Sequence, residues 1–240
     1  MKQNKIDFGI DAPLVPIMYF VVGIIALLAY SFDHSYPFAW VLLIYGMFMI
    51  AGGAIFLHTS LRGKFLIWNK IIDNLNIAQS PKILDLGCGH GAVLIEFARK
   101  IHKPGKVVGV DLWRNVDQAN NSSNVTRRNL ELAGAADKVD LITADMSDLP
   151  LKSESFDIVV SSLAFHNIHP KKRRSKALYE ACSVLKSGGQ LIIVDTGNHF
   201  KDYRAILEEQ NFHNIIIKSA GFNGWWTGPW MSTSIIQAEK

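Results

Sequence analysis

The sequence predicts an α/β domain built on a largely parallel sheet, carried behind a pair of helices that cross a membrane. Three observations predict it. The first sixty residues hold only Lys2, Lys5, Asp7, Asp11 and Asp33 as charged side chains, so nearly all of the charge follows Leu61. Within those sixty residues lie two charge-free apolar stretches, each of roughly 20 residues, the length that matches a ~30 Å hydrocarbon core at ~1.5 Å per residue. From Lys82 onward, short β-branched runs alternate with amphipathic segments, the pattern of strands joined by helices.

The two apolar stretches run from Ala12 to Phe32 and from Pro37 to Leu57, with Asp33-His34-Ser35-Tyr36 as a tight turn between them. Pro37 suits a helix start, where a missing N–H costs little. A cleaved signal peptide would explain the first stretch alone, but no small-residue cleavage site follows it and a second stretch does. A buried soluble pair would need a polar face that neither segment has. Lys2 and Lys5 precede the first span and Arg62 and Lys64 follow the second, with no lysine or arginine in the turn. That bias places both termini in the cytoplasm. The expected organisation is therefore a two-pass hairpin over 1–62 and a cytoplasmic domain over 63–240. Gly23, Gly46, Gly52 and Gly53 permit close helix packing. Trp40, Tyr30 and Tyr36 gather near the turn, where aromatic rings favour the interface.

A net charge of +4 and a pI near 9.0 suit an anionic membrane surface at least as well as nucleic acid. The basic run Lys171-Lys172-Arg173-Arg174 reads as a solvated helix start, with headgroup contact as the rival. Cys88 and Cys182 show neither metal-ligand spacing nor a disulfide framework and point to a reducing compartment.

A linker helix is expected over Lys64 to Leu75. Strands are expected at Lys82–Leu86, Lys106–Asp111, Val139–Thr143, Phe156–Ser161, Gln190–Asp195, Asn214–Ser219 and Ser232–Glu239. The first strand runs into Leu84-Asp85-Leu86-Gly87-Cys88-Gly89-His90-Gly91, and a helix pattern follows over Ala92 to Lys100. Glycines there allow a tight turn and let a ligand lie on bare backbone, while the helix start favours an anionic group. The third glycine comes one residue early for a dinucleotide fingerprint, which disfavours NAD.

This D-x-G-x-G-x-G after a strand resembles motif I of class I S-adenosylmethionine-dependent methyltransferases, and the likeness extends over most of Pro81 to Lys240. It implies a Rossmann-like methyltransferase sheet of seven mostly parallel strands, with S-adenosylmethionine as cofactor. It also implies that Asp85, Gly87, Cys88, Gly89 and Gly91 hold the methionine end, with the acid near the ammonium group. Asp111, at the end of the second strand, matches the acid that accepts both ribose hydroxyls. Leu112, with Trp113 as a second candidate, would cover the adenine. Asp145 and Met146 match the segment that meets the adenine amino group and ring. The fourth strand, Ser155 to Ser162, resembles the next motif and puts Ser161 at the cofactor, and Leu185 to Leu191 resembles the turn into the fifth. Trp113 to Arg128 is longer than the family's usual link and reads as a lid or as a solvated loop.

Methyl transfer from a sulfonium chiefly needs an aligned nucleophile and a dry site. His166, just past the fourth strand, is the candidate base for a hydroxyl or thiol acceptor, against a structural role capping the next helix. Asn167 is expected to touch substrate. Trp225, Trp226 and Trp230, in a glycine-rich loop between the last two strands, either line an apolar substrate pocket or pack against the linker helix. Leu163 to Asn167 resembles the corresponding segment of quinone-biosynthesis methyltransferases, which implies a small, lipophilic, phenol-like acceptor met at the bilayer. The rival readings are a protein or nucleic-acid methyltransferase and a membrane-tethered cofactor binder without turnover. No nucleic-acid partner is expected, because Ser161-Ser162-Leu163-Ala164 lacks the Asn/Asp-Pro-Pro-aromatic segment of base-modifying enzymes. Nothing in the sequence sets an oligomeric state.

Overall fold

Helices form where the two charge-free stretches predict them: α1 covers Leu14–Phe32 and α2 covers Ala39–His58 in a computed structural model that describes residues 5–35, 37–114 and 121–240. Both are long and apolar enough to cross a membrane. Gly23 and Gly46 bring their backbones together, since a Cβ on either would stand 3.0 Å from the carbonyl oxygen of the other. Outward, Ile17, Met18, Val21, Ile25 and Leu28 of α1 and Val41, Ile44 and Phe48 of α2 are exposed. Tyr36, expected at the turn, lies outside the described residues.

The expected boundary at residue 62 falls within a continuous helix. A π-helical turn over Thr59–Gly63 carries α2 straight into α3, Lys64–Asp73, so a single rod leads from the apolar pair into the globular part. A π turn accommodates an extra residue in the helical ladder and so rotates the faces on either side of it. Below the turn, α3 buries Ile67, Trp68, Ile71 and Ile72 against the domain. It stops at Asp73, two residues before the expected end.

Seven strands form one sheet in the order β3-β2-β1-β4-β5-β7-β6. They are β1 Lys82–Leu86, β2 Lys106–Asp111, β3 Val139–Thr143, β4 Phe156–Ser162, β5 Leu185–Thr196, β6 His213–Ser219 and β7 Thr233–Glu239. The first five are parallel, and β7 lies antiparallel between β5 and β6. The fold is thus the Rossmann-like sheet that the motifs implied. Only β5 departs appreciably from expectation. It begins at Leu185, five residues early, because Leu185 already pairs with Phe156 before a shift in register brings Gln190 opposite Ile158.

Alternation along the central strands feeds two cores. Leu84 and Leu86 face α6 (Lys171–Val184) and α7 (Phe200–Glu209), while Ile83 faces α3, α4 (Ala92–Lys100) and α5 (Ser123–Leu132). Burial on both faces explains the continuous apolar runs of β1, β2 and β4. Strand order reverses around β1, between β2 and β4, which opens a crevice beyond the carboxyl ends where such sheets bind ligands.

Candidate active site

The crevice is a cavity of about 840 Å³. Its floor is the turn after β1. Gly87 turns there with φ +75°, and its N–H and that of Cys88 both donate to the Val110 carbonyl, at 2.8 and 3.2 Å. A Cβ on Gly87 would stand 2.3 Å from Cβ of Ala164, so only glycine fits. Gly91 closes the turn at φ +84° and caps α4. From the side, Thr126 donates to the Gly89 carbonyl at 2.7 Å and Asn129 to that of His90 at 3.0 Å. The loop is therefore braced by α5 as well as by β2.

Three of the carboxylates that line the cavity, Asp85, Asp111 and Asp145, each stand near the end of a different strand or just beyond it. Asp85 is 1% exposed and neither carboxylate oxygen has a hydrogen-bond partner. Burial, reinforced by the nearby negative charge of Asp111, pushes its pKa up to about 8. The folded protein thus keeps a proton that the unfolded chain gives up near pH 4, so this group weakens the fold progressively as pH rises between those values. A ligand cation beside Asp85 reverses that preference. Binding a cofactor through its ammonium group near neutral pH is expected to expel close to one proton from wild type and none from Asp85→Asn. Calorimetry in buffers of different ionisation enthalpy measures this; equal proton release from both proteins would mean that the cation does not meet Asp85.

Asp111 is tied into the loop: Oδ2 accepts from the Gly89 N–H at 2.8 Å, and Oδ1 accepts from the Trp113 N–H at 2.6 Å and from Asn121 at 3.2 Å. Asp145 receives the Ser147 N–H and hydroxyl on Oδ1, at 2.9 and 2.8 Å, and the Arg173 guanidinium on Oδ2. Burial alone would raise its pKa. The bonds from Ser147 and Arg173, with the Arg173 charge, outweigh that and hold the carboxyl below its ordinary range.

Of the residues singled out in the sequence, Asp85, Gly87, Cys88, Gly89, Asp111, Leu112, Asp145, Met146 and Asn167 line the cavity. The others need correction. Gly91 shapes the turn without facing the space. Ser161 is turned away, buried with its hydroxyl donating to the Leu86 carbonyl at 2.7 Å, because β4 alternates and presents Ser162 instead. Ser162 in turn accepts from Trp68 of α3 at 2.8 Å. Trp113 directs its ring nitrogen to Thr143, 2.8 Å away, and leaves Leu112 on the cavity wall. His166 does not line the cavity; its Nδ1 lies 2.5 Å from the buried Asp195, whose other oxygen accepts the His166 N–H at 2.9 Å. None of the three tryptophans reaches the cavity. Trp226 packs on Phe56 of α2 with centroids 5.0 Å apart, Trp230 stacks on Phe48 at 5.3 Å, and the Trp225 carbonyl accepts the Thr59 hydroxyl.

Several wall residues had no signal in the sequence. Phe8 and Asp11, from the segment before α1, fold over the cavity beside Lys64 of α3. Asp11 pairs with Lys64 at 2.7 Å and accepts from Ser60 at 2.8 Å, and the Asp7 backbone exchanges two hydrogen bonds with Asn129, at 3.0 and 2.7 Å. Asn121, 5% exposed, comes back to Asp111 from the long stretch after β2. Within that stretch residues 115–120 lie outside the described residues, and α5 takes over from Ser123 behind the N-cap Ser122. The basic run is not a uniform solvated face: Arg173 enters the cavity wall, and Arg174 is buried, donating to the Ile168 carbonyl and bonded to His199 at 3.1 Å each.

Residues 84–193 match the protein family described as "Methyltransferase domain". The match takes in the glycine turn, Asp111, Asp145 and β4, the elements that build the cavity. The ubiquinone/menaquinone biosynthesis C-methyltransferase UbiE of Haemophilus ducreyi is 31% identical over 160 residues, covering 65% of this chain and 57% of that protein. The protein of the same name from Wigglesworthia glossinidia brevipalpis is 30% identical over 134 residues, 55% of this chain and 50% of that one. The chain thus spans little more than half the length of these curated relatives. Among solved structures, a SAM-dependent methyltransferase from Aquifex aeolicus superposes with a TM-score of 0.56 at 16% identity, over 72% of this chain and 89% of that chain. Geranyl diphosphate C-methyltransferase from Streptomyces coelicolor gives 0.56 at 15%, over 72% and 74%. These two show the fold.

The residues that line the cavity fit S-adenosylmethionine as cofactor. A buried carboxylate without a partner suits an ammonium group, the glycine turn offers bare backbone to a methionine moiety, and Asp111 offers a carboxylate acceptor to a ribose diol.

Proposed function

We propose that the protein is a membrane-anchored enzyme that transfers a methyl group from S-adenosylmethionine to a small lipophilic acceptor, with a phenol-like ring as the preferred class. One observation carries the acceptor reading. The cavity wall contributed by Phe8, Asp11 and Lys64 belongs to the segments that enter α1 and leave α2, so the cavity adjoins the place where the two apolar helices meet the domain. An acceptor dissolved in the bilayer is concentrated there. Exposed apolar faces on α1 and α2 support the anchor, and the flanking lysines and arginines support cytoplasmic termini, the side on which the cofactor is made. Relatives named as C-methyltransferases of quinone biosynthesis support a ring acceptor.

The bound cofactor supplies a methyl group on an already activated sulfur. Asp85 would hold the ammonium end, Asp111 the ribose and Leu112 the adenine face. The glycine turn would hold the methionine end. Phe8, clamped at ring distance 5.1 Å to Phe65, excludes water from the acceptor end. His166 stands outside the cavity wall next to Asn167, oriented by Asp195, and would take a phenolic proton through Nε2 only from an acceptor that extends past Asn167.

The test incubates tritiated-methyl cofactor with native membranes containing the protein, then separates lipid extract, protein and nucleic acid. Label is expected in the lipid extract, and Phe8→Ala is expected to raise KM for that acceptor by about tenfold with cofactor affinity little changed. Label confined to protein or nucleic acid, or no transfer at all, would replace this reading with one of its rivals.

A further inference from the structure

The loop between β6 and β7 has no part in the cavity, and its position on α2 is unusual. Between Lys218 and Glu239 the chain has no charged residue. The loop climbs α2 along a single face: Trp226 packs on Phe56, the Thr227 carbonyl lies 3.3 Å from where a Cβ on Gly52 would stand, and Trp230 stacks on Phe48. Phe48, Gly52 and Phe56 are four residues apart, the spacing of one helical stripe. At its base, Asn223 bonds to His58 at 3.1 Å and lies so near Gly63 that a Cβ there would come within 2.1 Å of the Asn223 oxygen. From His58 to Phe48 the rise is about 15 Å, half of a typical hydrocarbon core.

The tip is built for an apolar medium. Trp230 and Met231 are 61% and 45% exposed, and Pro229 between the turn and the tryptophan has no N–H to satisfy. Four of the tip's donors are met internally: Trp230 Nε1 donates to the Thr227 hydroxyl at 3.0 Å, Trp226 Nε1 to the Thr233 hydroxyl at 3.1 Å, the Trp226 N–H to the Met231 carbonyl at 2.9 Å and the Met231 N–H to the Gly228 carbonyl at 3.2 Å. Each such pairing lowers the cost of placing irregular backbone at membrane depth.

We propose that the 221–232 loop inserts beside α2 into the acyl region of the bilayer, with Trp230 and Met231 in contact with lipid chains, so that the methyltransferase domain is fixed to the membrane at a second point and at a set depth. The proposal rests on the membrane reading of α1 and α2. Lipid acyl chains are the occupant because the exposed tip is continuous with the exposed apolar flank of α2 and carries no charge to pair with a protein partner.

The full chain, reconstituted in phosphatidylcholine vesicles, is spin-labelled at one introduced cysteine at a time: Trp230→Cys, Met231→Cys, Ile44→Cys on the exposed flank of α2, and Lys152→Cys on the domain surface. Cys88 and Cys182 are buried, and the parent protein treated with the same reagent sets the background. Power saturation compares collisions with oxygen, which concentrates in lipid, and with a water-soluble nickel chelate. Positions 230 and 231 are expected to favour oxygen over nickel as position 44 does, and position 152 the reverse. Nickel-accessible labels at 230 and 231 with an oxygen-accessible label at 44 would overturn the inserted loop and leave the anchor standing. A nickel-accessible label at 44 would overturn the anchor itself. Labels at 230 and 231 shielded from both reagents would place the tip against protein and also overturn the proposal. Two adjacent tip positions keep the result readable where Trp230→Cys fails to fold.

Discussion

Asp111→Ala is expected to weaken S-adenosylmethionine binding by about 100-fold or more without unfolding the protein. A carboxylate that accepts both hydroxyls of a ribose makes two charge-assisted hydrogen bonds, each of roughly 1.5–3 kcal/mol, and about 1.4 kcal/mol is a factor of ten in affinity. The same side chain braces the glycine turn through the Gly89 N–H at 2.8 Å, so its removal also loosens the surface on which the methionine end lies. Asp111→Asn should fall between wild type and alanine, since an amide oxygen keeps one acceptor but loses the charge. Calorimetric titration of the reconstituted protein reads the affinities. Wild-type affinity in Asp111→Ala would place the cofactor elsewhere in the cavity.

His166→Gln is expected to lower turnover of a phenolic acceptor by about 100-fold to 10,000-fold, the range for loss of a positioned base, with cofactor affinity within about threefold of wild type. Asp195 grips His166 twice: it has no exposure, lies 2.5 Å from Nδ1 of His166 and accepts the backbone N–H of the same residue. Such an arrangement selects the tautomer that leaves proton transfer to Nε2. Asp195→Asn should reproduce most of the loss, because the amide favours the other tautomer. The pH dependence of turnover separates this from a purely structural histidine. A base gives a rate that falls as the imidazole becomes protonated, and His166→Gln abolishes that limb. Retention of the limb in the variant would assign the role to another group.

How far the sequence carried depended on whether a residue's role is set by its neighbours in the chain. The turn from Asp85 to Gly91 was legible because positive φ at Gly87 and Gly91 and a following helix are local demands. Strand ends were legible because runs buried on both faces have nearly continuous apolar sequence. Ser161 went wrong by one position: side chains alternate along β4, and only the register with β1 and β5 decides whether Ser161 or Ser162 faces the crevice. The tryptophans of the last loop were visible as aromatic residues that needed a surface, and the sequence left two surfaces open.

By itself the sequence determined the order of strands and helices, the glycine turn with the acids Asp85 and Asp111 at adjacent strand ends, and two apolar helices ahead of the domain, all consequences of local propensity and hydrophobic period. The tertiary structure decided what meets across long separations. It carried α2 through a π turn into α3, laid Phe8 and Asp11 over the cavity 53 residues before their partner Lys64 in the case of Asp11, turned Arg173 onto Asp145, and sent Trp226 and Trp230 to α2 instead of to the substrate. Those contacts depend on which faces two elements present to each other once the sheet has closed, and a side chain's own sequence neighbours hold no record of that.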